Sequence, residues 1–154
     1  MNIRIEIDKE SIIDASTEYI KKTIKFLYRW LTTDGEALGY ILGHIHFMLF
    51  ISLLLSVFIA HTIYPNFWFQ LGIFIVIFMI WLQHIFLKVC VSIVAEKDFT
   101  QNVAPFHKIL ESIFQITPND FTNYFIVAET VALACFGLEL IAQISTQIQA
   151  SDIV

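Results

Sequence analysis

Only Tyr64, Pro65 and Asn66 separate two apolar runs, residues 37–63 and 67–95. Each run exceeds the roughly 20 residues that a helix needs to cross a hydrocarbon core about 30 Å thick. A connection that short leaves two helices one arrangement, an antiparallel hairpin. Phe67 and Trp68 follow the turn, at the depth where aromatic belts form. A third apolar run covers 121–145. The expected fold is an all-α integral membrane protein with three transmembrane helices running up-down-up. Their length allows some tilt.

Composition agrees with that reading. Hydrophobic residues make up 57% of the 154, and charged residues only 15%, against roughly 25% in soluble domains. So little polar surface could not cover a core of this size in water. The length suits one domain. Cys90 and Cys135 both fall inside apolar runs, so neither reads as a disulfide or zinc position. Residues 1–20 are charged throughout and lack an apolar h-region, so no cleavable signal is expected. The net charge is −5, and no basic patch is free of interleaved acids. Nucleic acid is therefore not an expected partner.

The flanking segments carry their own signals. In the N-terminal segment 1–36, "NIRIEI" alternates and predicts a short strand over residues 2–7. "SIID" offers a capping box, Ser11 with Asp14. Ile13, Ile20, Ile24, Leu27 and Leu31 then share a helix face, with Lys21, Lys22, Lys25 and Arg29 beside or opposite it. Such a basic amphipathic helix is expected in the membrane interface or on a partner protein, with Gly35 as its stop. The connection 96–120 holds "PFHKILESIF", a second, shorter interfacial helix with Pro105 in its first turn. "TPND" caps the third span through Thr117, Pro118 and Asp120. A tail, 146–154, follows. All nine lysines and arginines lie in the N-terminal segment, at the end of the second span or in 96–120. The positive-inside rule then puts the N-terminus in the cytoplasm and the C-terminus outside.

Polar residues inside the spans are the candidates for function. His84, Lys88 and Ser92 follow one another at four-residue spacing on one stripe of the second span, with Trp81 alongside. Glu96 is expected to drift off at the helix end and meet water. The first span carries Gly39, Gly43, His46 and His61 on one stripe, and the glycine pair is a small-xxx-small pattern that lets backbones approach. In the third span Glu129, Ala132, Phe136, Glu139 and Gln143 fall within an arc of about 80°. A carboxylate at mid-membrane costs about 2.5–3.5 kcal/mol on insertion scales, so two on one arc should face protein or water. A buried polar cluster of His46, His84, Lys88, Glu129 and Glu139 is expected, with Lys88 pairing to Glu129. Glu139 lies nearer the outer side, closer to His61 than to the rest.

These residues suit three functional readings. The first is a non-enzymatic multi-pass membrane subunit or scaffold, held in register by the cluster and associated with copies of itself or with a membrane-complex partner. The second takes His46 and His84 as axial ligands of a haem b, in an electron-transfer or quinone-site anchor. The same histidines with Glu129 make a two-histidine, one-carboxylate metal set. In size, span number and orientation the chain is similar to the small membrane-anchor subunits of succinate dehydrogenase, a likeness of architecture that shares no motif with them. The third reading is a proton- or ion-conducting component. No glycine-rich phosphate loop, G-x-S-x-G, H-E-x-x-H or C-x-x-C appears. Cys90 has only Lys88 as a nearby base in sequence, on a different face. No catalytic residue and no dedicated metal ligand is named.

Overall fold

The structure, a computed structural model, describes residues 8–101, 103–115 and 118–151, all helix and short connections. Six helices follow in order: α1 Lys9–Tyr28, α2 Gly35–Thr62, α3 Phe67–Leu87, α4 Val91–Phe99, α5 Pro105–Phe114 and α6 Pro118–Ser151. Among the described residues three stretches are long and apolar enough to cross a membrane: Gly35–Thr62, Phe67–Leu87 and Phe121–Gln149. The predicted strand over 2–7 and the cap at Thr117 lie outside the described residues.

Helix ends differ from the sequence expectations where a stronger cap was available. Asp8, not Ser11, caps α1; its carboxylate accepts from the amides of Glu10 at 3.1 Å and Ser11 at 3.3 Å. An aspartate at this position also meets the positive end of the helix dipole. Gly35 begins α2 rather than ending α1. Asp34 accepts from the amides of Glu36 and Ala37 there, and α1 has already ended at Tyr28. Asn66 caps α3 through Trp68 and Phe69, which makes the 63–66 connection as tight as its length implied. Pro105 opens α5, where its missing N–H costs nothing.

The largest departure is in the second apolar run. The expected span continues to Ala95, but α3 stops at Leu87. Lys88 takes a left-handed conformation, φ 59°, and its amide bonds back to the His84 carbonyl at 2.9 Å. Residues 91–99 then form the separate helix α4. No glycine or proline marks this break. A non-glycine residue there costs about 1–2 kcal/mol, so tertiary contacts must hold it. They come from α4, which buries Val91, Ala95, Glu96 and Phe99.

The chain packs as two units, Met1–Phe47 with Val89–Pro118, and Met48–Lys88 with Asn119–Val154. In the first, Ile24, Leu38, Leu42, Ala95 and Phe99 form a core flanked by Ile20, Tyr28, Ile41 and Ile45. The face expected on α1 is thus used in part. Ile24 is buried and Ile13 and Ile20 are half-buried, while Leu27 and Leu31 are exposed. Lys21 ties α1 to α4, with its ammonium 2.7 Å from both Asp98 and Glu18. Its hydrogen bonds to Asp98 and then Glu18 raise its pKa above the ordinary lysine value.

In the second unit Ala60, Ile73, Ile77 and Phe136 form the core, with Leu53, Val57, Phe69, Phe74, Ala132 and Leu133 packed around it. As α6 advances from Phe125 to Glu139, its partners on α2 advance from Phe50 to His61. Its partners on α3 retreat from His84 to Gln70.

Lys88 gives a direct test of this geometry. Lys88→Gly removes the left-handed penalty and should leave the unfolding midpoint unchanged or raised. Lys88→Val puts a β-branched side chain in the same conformation and should destabilise by about 1–2 kcal/mol, measured by thermal or denaturant unfolding in detergent.

Candidate functional site

Three carboxylates on apolar helices each meet a histidine through Nδ1. His46 on α2 pairs with Glu96 on α4 at 2.8 Å. His61 on α2 pairs with Glu139 on α6 at 2.8 Å. His84 on α3 lies 2.9 and 3.0 Å from the two carboxylate oxygens of Glu129 on α6. An ionised carboxylate only accepts, so in each pair with an ionised acid Nδ1 carries the hydrogen.

The residues of the predicted cluster fall in both packing units. His84, Glu129, Glu139 and Lys88 belong to the second unit, and His46 belongs to the first. Glu129 is met by His84 rather than by Lys88. Among the described residues Lys88 forms no ion pair; its backbone, not its ammonium, makes the contact, at the end of α3. The reason is the helix break: with α3 ending at Leu87, Lys88 is no longer on the helical stripe with His84. Glu96 also differs from its expected place in water, being wholly buried. His44 stands apart, exposed, with Nδ1 bonded to the Tyr40 carbonyl at 2.7 Å.

In the second unit Gln70 stands at the centre of a hydrogen-bond network. Gln70, 1% exposed, donates from Nε2 to the Ala60 carbonyl at 3.1 Å and to Glu139 Oε2 at 2.8 Å. Its Oε1 accepts from Gln143 at 2.6 Å. The His61 ring lies against Phe136, centroids 4.3 Å apart. Nearer the other end, Trp81 donates to the Thr130 hydroxyl at 2.9 Å. Gln70 was not singled out from the sequence. Its signal was there, as the one strongly polar side chain early in the run that starts at Phe67. Leu133 packs against the core around Phe136, whereas Val131 is exposed.

The first unit builds a different arrangement. Glu96 Oε1 receives His46 Nδ1, while Oε2 accepts the Phe106 amide at 2.9 Å, at the start of α5. The His46 ring stacks on Phe106, centroids 3.9 Å apart. Its other nitrogen, Nε2, lies 3.7 Å from Cys90 Sγ. Space for this comes from α2. A Cβ on Gly43 would stand 2.7 Å from Pro105 Cβ and 3.2 Å from Glu96 Oε2, and one on Gly39 would collide with Thr100 and Phe99. The small-xxx-small pair thus does permit close approach, with the α4–α5 connection as its neighbour. No group of three or more His, Cys, Asp or Glu side chains among the described residues is disposed to hold a metal ion.

No protein-family model matches the chain, and neither curated proteins nor solved structures give a significant match.

Two double-mutant cycles test the pairing. In the first, His84→Leu and Glu129→Leu should couple by about 0.6–1.7 kcal/mol, the range for hydrogen bonds between membrane helices. In the second, Lys88→Met and Glu129→Leu should be additive within about 0.3–0.5 kcal/mol. In the first unit, Gly43→Ala should destabilise by about 1–3 kcal/mol, as overpacking does. All are read from unfolding of the detergent-solubilised protein.

Proposed function

We propose that the chain is a multi-pass membrane subunit whose second unit serves as a structural scaffold in the bilayer. The observation that carries this reading is the pairing of both α6 carboxylates with histidines of other helices. Glu129 and Glu139 lie on an apolar helix, yet each is taken up by a histidine of another helix. The side chain of Glu129 keeps only 13% exposure. A hydrogen-bonded pair at this depth fixes helix register while sparing the cost of a carboxylate against hydrocarbon. Packing is the role of these two pairs, and no chemical step is assigned to them.

The outer surface supports insertion and assembly. Met48, Leu49, Leu54, Leu55 and Phe58 of α2, Ile75, Val76 and Met79 of α3, and Val127, Val131 and Leu138 of α6 are all exposed. Apolar surface of this extent requires lipid or another protein chain against it. In this reading the three long helices cross up-down-up, with the N-terminus and residues 96–120 in the cytoplasm, following the distribution of lysine and arginine. The exposed aromatics Phe26 of α1 and Trp30 just beyond its end, among Lys22, Lys25 and Arg29, fit a segment at the membrane surface. Further copies of the chain, or other subunits of a membrane complex, are the expected neighbours.

Orientation can be read by labelling. With Cys90 and Cys135 replaced by serine, a cysteine at Asn66 should react with an impermeant thiol reagent added outside. One at Lys97 should react only after permeabilisation. Labelling of both positions from the same side would remove the second crossing and with it the three-span reading.

A further inference from the structure

We propose that Cys90, His46 and Glu96 form a thiol nucleophile site that takes an acyl group from a long-chain fatty acyl ester or thioester. This goes beyond the scaffold role, which concerns the other unit, and each can fail without the other. Three side chains from two helices stand in the order such chemistry requires. Cys90 Sγ is 3.7 Å from His46 Nε2, and His46 Nδ1 is 2.8 Å from Glu96 Oε1. A nucleophile touching a base that is oriented by a third group is the shared logic of thiol and serine acyl-transfer sites.

Each member is held for its part. Glu96 is wholly buried and fixed on its far oxygen by the Phe106 amide. It can therefore position His46 in the tautomer that leaves Nε2 free to take a proton from sulfur. Phe106 stacks on the imidazole and fixes its plane. Cys90 is the N-cap of α4, and its side chain makes no capping bond. The thiol thus lies at the positive end of a helix dipole beside a histidine, the two influences that most lower a cysteine pKa. The amides of Val91 and Ser92 precede the first hydrogen bonds of that helix, which the Ile93 and Val94 amides make to the Cys90 carbonyl, so they are the donors available to an oxyanion there.

The surroundings indicate the substrate class. Cys90 is three residues beyond Leu87, the end of an apolar helix long enough to span a membrane. It is half-buried, and its apolar sequence neighbours Val89, Val91 and Ile93 are buried or half-buried. An acyl chain lying in the membrane would bring its carbonyl to this level. His46 takes the Cys90 proton as sulfur attacks the carbonyl carbon. The carbon–oxygen or carbon–sulfur bond to the leaving group then breaks, and the leaving alkoxide or thiolate takes that proton back from His46. Cys90 is left as a thioester. Water or an acceptor hydroxyl, deprotonated by His46, attacks it next, and the proton returns to sulfur as the thiol leaves.

His46 of α2 meets the thiol, and Glu96 of α4 meets His46. His107 of α5 is lowered by burial first and then by the positive charge of Lys97, so it adds no second cation near neutral pH. His46 is thus the group whose removal should matter.

The test uses the full chain with Cys135→Ser, in detergent or lipid discs. Iodoacetamide alkylation of Cys90 is followed against pH. The midpoint should fall below about 7.5, against about 8.5 for an ordinary thiol. It should return to about 8.5 or higher in His46→Asn, and part of the way in Glu96→Gln. The protein is then incubated separately with palmitoyl-coenzyme A and with palmitoyl-labelled phosphatidylcholine. A hydroxylamine-labile palmitoyl group should appear on Cys90 and be lost in Cys90→Ser. Labelling by only one donor identifies whether the acyl group comes from a water-borne thioester or from membrane lipid. A midpoint at or above about 8.5 with His46 and Glu96 intact, or no acyl group on Cys90 from either donor, overturns the assignment. These two measurements need no variant beyond Cys135→Ser.

Discussion

A carboxylate carried on an apolar helix must find hydrogen-bond donors, and this chain meets that demand three times with histidine. The cost of leaving the acid unpaired, several kcal/mol in hydrocarbon or in a dry core, is larger than the preference of a surface residue for one rotamer or another. The acids therefore dictate which helix faces which. On α6, Glu129 and Glu139 select His84 and His61, and the aromatic and aliphatic contacts between them follow that register. Glu96 does the same in the first unit, drawing His46 and the start of α5 to its two oxygens.

The same pair of groups acquires a different chemical character in each setting. In the second unit Glu139 shares a network with His61, Gln70 and Gln143, while Glu129 is held by His84. That arrangement is suited to holding helices together. In the first unit the histidine keeps one nitrogen turned toward a thiol. Pairing with a buried acid then orients a base beside a nucleophile. The difference arises from the break at Lys88, which places Cys90 at a helix start and swings Glu96 inward.

Glycine makes the first arrangement possible. Gly39 and Gly43 clear a strip of α2 on which Thr100, Pro105 and Glu96 rest. The sequence pattern had the right physical meaning, close backbone approach. Its neighbour is a connection between two short helices rather than another long span.

Local and periodic properties of this protein were readable from the sequence. Three long apolar helices follow from hydrophobic run length, and the tight turn before Phe67 from the Pro65–Asn66 step. The position of α5 follows from Pro105, and the inward direction of Glu129 and Glu139 from the price of a bare carboxylate in an apolar setting. Tertiary structure decided what local pattern cannot encode. Lys88 adopts a left-handed conformation with no glycine or proline to announce it, because burial of Val91, Ala95 and Phe99 outweighs the local strain. That break put Glu96 in the core rather than in water, and gave Glu129 to His84 rather than to Lys88. It also brought Cys90 beside a histidine 44 residues earlier in the chain. Spacing along a helix identifies neighbours on one face only while the helix continues; beyond a break, partners are chosen by long-range packing.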